Sequence, residues 1–276
     1  MKWIKYLINL VKSIFSDNEE CDTCFEKKCE TLTNENRYAV IVGMEKSKWG
    51  NCPGADRDSN TMLSMISQYV DSSHIIKLNN AQATGTNVVN ALKNQIAKVP
   101  EDGLMIFTYS GHGGQNNKSS NAKDEVDGKD EFLCLYDSGL IDNDIWVMFN
   151  QCKGRILFIC DSCHSSTMYR LPNELPEGIE EEDRMPLDKP FFTRFENARS
   201  GVNMLAIAGC GEETISWGDS ANGGVLTSSL KRAFNKCLSY KDWWSKAKAD
   251  KSFKQVKQVP YFTVIGGFDT DAKVFN

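Results

Sequence analysis

Two residues in this sequence stand where covalent chemistry is possible. His112 sits in the glycine-rich turn Ser110-Gly111-His112-Gly113-Gly114, and Cys163 sits in the small polar turn Asp161-Ser162-Cys163-His164-Ser165. A thiol needs a basic partner to act as a thiolate near neutral pH, and an imidazole can supply that or protonate a leaving group. The glycines beside His112 leave room for a peptide to approach the ring. Backbone N–H groups at Gly113 and Cys163 could hold a developing oxyanion. The chain has three histidines. His74 falls in an apolar stretch and reads as structural. His164 adjoins the cysteine, and neighbouring side chains on extended backbone point to opposite faces. His112 is therefore the favoured partner of Cys163.

Both residues follow short apolar runs, Leu104–Tyr109 and Arg155–Cys160, which read as strands. Around them the pattern alternates. Strands are expected at 38–43, 74–78, 202–208 and 261–265. Helices are expected at 53–70, at 84–99 capped by Thr84 or Thr86, at 142–150 and at 223–237. Residues 132–136 read as a short strand, 116–130 as a loop, and the lysine-rich stretch 241–257 as a solvated face. Alternating strands and helices imply an α/β fold, a mainly parallel sheet with helices on both faces. Ligands of such sheets bind beyond the carboxyl ends of the strands, which is where His112 and Cys163 fall.

Composition narrows the remaining options. At 276 residues, 41% hydrophobic and 25% charged, the chain is of ordinary globular type. A net charge of -5 gives no polyanion-binding signature, so nucleic acid is not an expected partner. There are ten cysteines, several inside apolar runs, and no recognisable secretory signal, so a reducing cytoplasmic setting is expected. Residues 2–15 have helical periodicity with Trp3, Leu7, Leu10 and Ile14 on one face and Lys2, Lys5 and Lys12 on the other. Packing on the domain or on a partner is the favoured role, with membrane contact the alternative. Cys21, Cys24 and Cys29 lack the second pair that a zinc site needs.

The paired turns around His112 and Cys163, about 50 residues apart, resemble the two signatures of metacaspases and bacterial caspase-like cysteine peptidases. Pro53-Gly54-Ala55-Asp56-Arg57-Asp58 resembles that family's acidic turn before the first helix. Ala208-Gly209-Cys210 and Gly223-Gly224-Val225-Leu226-Thr227 resemble its smaller C-terminal part. The resemblance implies a caspase-like three-layer sandwich around a six-stranded sheet. It divides the chain into an N-terminal extension (1–36), a large catalytic part (37–170), an acidic proline-containing linker (171–200) and a small part of the same domain (201–276). It further implies a cysteine endopeptidase that cleaves after Arg or Lys, with His112 and Cys163 as the dyad. Asp58 and Asp161 would be the pocket carboxylates, with Ser110 lining the pocket. Peptides or proteins with Arg or Lys at the cleavage site are the implied partners. Calcium activation is a further implication, with Asp127, Asp142 and Asp144 as candidate ligands. Asn143 and Arg170 depart from the acidic pattern, and a solvated acidic loop is an equal reading. Self-processing would fall in 171–199 or at its edge, at Arg170, Arg184, Lys189, Arg194 or Arg199. The competing reading is a catalytically silent scaffold of the same fold.

Overall fold

The computed structural model describes residues 35–116, 130–162, 201–210 and 216–276. Six strands form the central sheet: β1 (Arg37–Gly43), β2 (Ile75–Asn79), β3 (Leu104–Gly111), β4 (Arg155–Ser162), β5 (Asn203–Ala208) and β6 (Tyr261–Ile265). Their spatial order is β6-β5-β4-β3-β1-β2, with every pair parallel except the β5–β6 edge. This is the α/β architecture expected from the alternation of elements.

The apolar runs are continuous because both faces of the sheet are covered. On one face Val40, Val42, Phe107, Tyr109 and Phe158 pack under α2 (Gly85–Ile96) and α3 (Asp142–Phe149). On the other, Ala39, Ile41, Ile106, Leu157 and Ile159 pack under α1 (Ala55–Ile66), α4 (Val225–Ala233) and α5 (Tyr240–Lys248). Odd and even positions of each strand thus serve different helical layers, as a period of two requires. Across β3 and β4, Phe107 stacks on Phe158 with ring centroids 5.1 Å apart. That pair fixes a register in which Ser110 lies opposite Asp161 and Gly111 opposite Ser162. A slip of one residue would turn every side chain of one strand to the wrong face.

Thr84 caps α2 as expected, its side chain accepting the Asn87 N–H. Elsewhere the boundaries differ from the sequence reading. Helix α4 starts at Val225 rather than 223, because Gly223 and Gly224 pair with Gly218–Asp219 in a short antiparallel ladder. Gly113–Asn116 and Asp130–Cys134 are paired strands, joined by Gly139–Ile141 in a second small sheet, so the expected loop is shorter at both ends. His74 ends a 3₁₀ turn ahead of β2. Its ring stacks on Tyr38 and its Nδ1 donates to the Arg37 carbonyl, a structural role.

The lysine-rich stretch is half right. Its lysines at 241, 246 and 248 are exposed, but Tyr240, Trp243, Trp244 and Ala247 form the buried stripe of α5. Residues Lys251–Gln255 form a further helix, α6. No helix among the described residues is long and apolar enough to cross a membrane. The 2–15 helix, the Cys21–Cys29 cluster and the 171–199 linker lie outside the described residues.

Candidate active site

The site is built at the carboxyl ends of β3 and β4. Strand β3 runs to Gly111 and hands the chain to His112. Gly111 is obligatory there: a Cβ would lie 2.6 Å from the Tyr109 hydroxyl and 2.8 Å from Met44 Cβ. The His112 carbonyl accepts the Cys134 N–H at 3.0 Å and lies 2.7 Å from the Tyr109 hydroxyl, so its backbone is held from two sides. Strand β4 ends at Ser162, the residue before Cys163 in the sequence. Cys163 itself lies outside the described residues. Gly113, the other oxyanion candidate, is buried and pairs with Leu133 in the second sheet.

The His112 ring is half-buried, with Nε2 3.0 Å from the Asn51 carbonyl. A carbonyl can only accept, so Nε2 carries the hydrogen and Nδ1 is the basic nitrogen of the neutral ring. Burial lowers the imidazole pKa, and the Asn51 bond only partly opposes that, so the surroundings favour the neutral ring. Asn51 belongs to the hairpin Lys46–Ser47/Gly50–Asn51, which is pinned by the Lys46 N–H to Asn80 Oδ1 and by the Trp49 indole N–H to the Leu135 carbonyl. A main-chain acceptor leaves no side-chain signature, so Asn51 was not legible in the sequence.

Asp58, Ser110 and Asp161 come together in one pocket that Ser162 and Trp217 also line. Asp58 stands in the first turn of α1, Ser110 near the end of β3 and Asp161 near the end of β4. All three are almost wholly buried, at 3%, 6% and 6% exposure. Ser110 Oγ donates to Asp58 at 2.6 Å, and the Gly224 N–H donates to both Asp58 oxygens. Asp161 accepts from Ser216 Oγ at 2.7 Å, from the Thr227 N–H at 2.9 Å and from Thr227 Oγ1 at 2.8 Å.

The small C-terminal part thus supplies every one of these donors except Ser110. Ser216, Gly224 and Thr227 were not among the expected site residues. They are far from Asp58 and Asp161 in sequence and carry no spacing that links them. The Gly223-Gly224 pair was the available signal. A Cβ on Gly223 would sit 2.2 Å from an Asp58 oxygen, and one on Gly224 would sit 2.1 Å from an Asp161 oxygen. Only glycine lets the backbone approach both carboxylates this closely.

Burial pushes the Asp58 carboxyl up to about 8, with the neighbouring Asp161 charge as the second cause. Burial also raises Asp161, but three donors oppose that rise. Both carboxyls of the pair are thus pushed upward by burial, and the donors around each oppose that rise. Two carboxylates face one buried space, with hydroxyl and backbone donors around them, and carboxylates are groups that can pair with a cationic side chain. Cys52 also lines the pocket, but burial and the two carboxylates push its thiol to about 12, which makes it a poor competing nucleophile.

Two of the three metal candidates fall among the described residues. Asp142 is buried at the first turn of α3 whereas Asp144, in the same turn, is exposed, and Asp127 lies outside the described residues. Glu131, which is fully buried, precedes Phe132, the strand partner of Ile141. Among the described residues no group of three or more His, Cys, Asp or Glu side chains could hold a metal ion.

A six-stranded, mostly parallel sheet between helical layers, with a histidine beyond one central strand and a polar pocket beside it, is the caspase-like architecture. The chain belongs to the caspase-domain family, peptidase family C14, whose pattern matches residues 36–265. It is 32% identical over 111 residues to metacaspase-8 of Arabidopsis thaliana, covering 39% of this chain and 28% of that protein. It is 28% identical over 152 residues to metacaspase-1 of Pyricularia oryzae, covering 49% of this chain and 38% of that protein. A longer match, 25% over 211 residues, links it to metacaspase-3 of Trypanosoma brucei brucei, covering 69% of this chain and 57% of that protein. The chain thus spans well under half the length of the first two relatives. Among solved structures it resembles a protein of Geobacter sulfurreducens, with TM-score 0.67 and 22% identity, covering 87% of this chain and 98% of that one. It also resembles caspase-1 of Spodoptera frugiperda, with TM-score 0.54 and 12% identity, covering 84% and 87%. At these identities the structural likenesses speak for the fold alone.

Proposed function

We propose that this chain is a cysteine endopeptidase that hydrolyses peptide bonds after arginine or lysine. The observation that carries the reading is the buried pair Asp58 and Asp161 in a pocket beside His112. A cationic side chain entering that pocket meets two carboxylates and no described lysine or arginine among the lining residues, whereas an acidic one would meet like charge.

In the proposed reaction Cys163 gives its thiol proton to Nδ1 of the neutral His112 ring, and the thiolate attacks the scissile carbonyl. The negative charge moves to the carbonyl oxygen, toward the backbone N–H groups of Gly113 and Cys163. Collapse of this intermediate breaks the C–N bond. The leaving amine takes the proton from the imidazolium, and a thioester remains on Cys163. A water molecule then gives one proton to His112 and attacks the thioester. The acid product leaves, and the sulfur recovers its proton. The Asn51 carbonyl keeps the ring in the tautomer this sequence needs.

Calcium activation and self-processing complete the proposal. Buried Asp142 offers a hard oxygen of the type calcium takes, with Asp127 and Asp144 as its proposed companions. Processing would fall after Arg170, Arg184, Lys189, Arg194 or Arg199. Hydrolysis of fluorogenic peptides ending in Arg, Lys or Asp, with calcium and with chelator, tests the reading. Turnover of the Arg and Lys peptides that disappears in Cys163→Ala is expected. No turnover under either condition, or turnover that survives the substitution, would overturn it. Intact-mass analysis of both proteins would locate any self-cleavage.

A further inference from the structure

Gln258 lies before β6, remote in sequence from every residue of the proposed dyad and pocket, yet it is buried, with 4% exposure. Its amide bonds are directed at the pocket wall. Nε2 donates to the Gly209 carbonyl at 2.7 Å and to Ser216 Oγ at 3.3 Å, and Oε1 accepts the Trp217 N–H at 2.9 Å. The side chain thus bridges the backbone leaving β5 and the Ser216–Trp217 segment.

The direction of these bonds matters. Ser216 Oγ accepts from Gln258, and its own hydrogen goes to Asp161 Oδ1 at 2.7 Å. An amide N–H that occupies the hydroxyl lone pair points the hydroxyl proton at the carboxylate. Gly209 is packed into the same cluster: a Cβ there would lie 2.6 Å from Ser216 Oγ and 3.0 Å from Asp161 Oδ1. Gln258 can make these contacts because its own backbone is fixed, with its N–H on the Phe253 carbonyl at 2.9 Å.

We propose that Gln258 is a positioning residue for recognition of the cationic substrate side chain, acting through Ser216 on Asp161 and through Trp217 on the pocket wall. This inference rests on the proposed pocket and adds a residue that is not itself among the lining residues. It requires that loss of Gln258 impair arginine recognition while leaving the reactivity of Cys163 intact.

The test compares two alkylating reagents for Cys163: a peptidyl-arginine chloromethyl ketone, which needs the pocket, and iodoacetamide, which does not. Gln258→Met keeps the bulk and removes both donors and the acceptor. It is expected to slow the arginine reagent roughly tenfold or more, the scale of a lost buried hydrogen-bond group. Its iodoacetamide rate should stay within about twofold of the wild type, the scatter of an unaffected site. Ser216→Ala, which spares the Gln258 bridge to Gly209 and Trp217, is expected to slow the arginine reagent about three- to fivefold. The double variant should be slower than Gln258→Met by less than about twofold, because the two act along one path. Unchanged arginine rates, or equal slowing of both reagents in Gln258→Met, would overturn the inference. Should Gln258→Met fail to fold, an unchanged arginine rate in Ser216→Ala overturns it. A wild type that shows no preference for the arginine reagent over a norleucine one overturns the pocket reading, and this inference with it.

Discussion

Asp58 and Asp161 come from a helix and a strand far apart in sequence, yet the fold delivers both to one pocket and surrounds each with donors. Asp142 and Asp144 are near neighbours in sequence, yet one is buried and the other exposed. The difference lies in what holds them. The first pair is gripped by Ser110, Ser216, Gly224 and Thr227, contributed by two strand ends, the segment before Gly218 and a helix start. The second stands in the first turn of α3, where acidic residues are favoured by the helix dipole with no ligand at all. Proximity in sequence is therefore a poor guide to a carboxylate site, and convergence of donors is a better one.

Asp161→Asn should break that comparison most severely. It keeps the shape and most of the contacts with Ser216 and Thr227 but removes the charge. A fall in kcat/KM of roughly 10²–10³-fold on Arg and Lys peptides is expected, the cost of removing one member of a buried charge pair. Steady-state kinetics would check it, and a fall of less than about threefold would place charge recognition elsewhere.

Asp58→Asn should separate function from stability. Asp58 titrates near 8 in the folded protein, against an ordinary carboxyl value of 3.8. The raised value means the folded state holds the proton more tightly than the unfolded chain does. The stabilisation is fully present below about pH 4 and is lost as pH rises to about 8. Wild-type stability should accordingly decline across that window, and Asp58→Asn should flatten the decline and gain on the order of 1–3 kcal/mol at pH 8. Chemical denaturation at pH 5 and pH 8 gives the comparison. In wild type, kcat/KM on arginine peptides should keep rising to about pH 8 as the free pocket ionises, whereas the kcat profile, which reports the substrate complex, should level off earlier. The variant should lose the upper part of that rise.

The smallest effect is expected at Asp144. As an exposed helix-start residue, its change to Asn should alter stability by no more than about 0.5 kcal/mol. Denaturation midpoints with calcium and with chelator test this together with the metal proposal. A calcium-dependent shift that vanishes in Asp144→Asn would promote the residue from a dipole partner to a ligand.

Much of the fold was legible because its strands are apolar runs separated by amphipathic helices. The alternation of Ala39 and Ile41 against Val40 and Val42 predicts burial on both faces, and the sheet has both faces covered. Asp58, Ser110 and Asp161 could be singled out because they sit within motifs that resemble a known family's signatures. What escaped has a physical reason in each case. Asn51 acts through its carbonyl, Gly224 through its N–H and its missing side chain, and Gln258 through contacts that only the folded chain creates. Helix α5 escaped because its lysines hid a Tyr240, Trp243, Trp244, Ala247 stripe at helical spacing.

The account's central claim is that buried carboxylates beside His112 select a positive charge. Its most direct test is the ratio of kcat/KM on two otherwise identical peptides, one presenting arginine and the other citrulline, its neutral near-isostere. The account requires arginine to be favoured by roughly a hundredfold or more, as expected for a buried charge-assisted pair. Equal rates on the two peptides, or a faster rate on a peptide presenting aspartate, would contradict it.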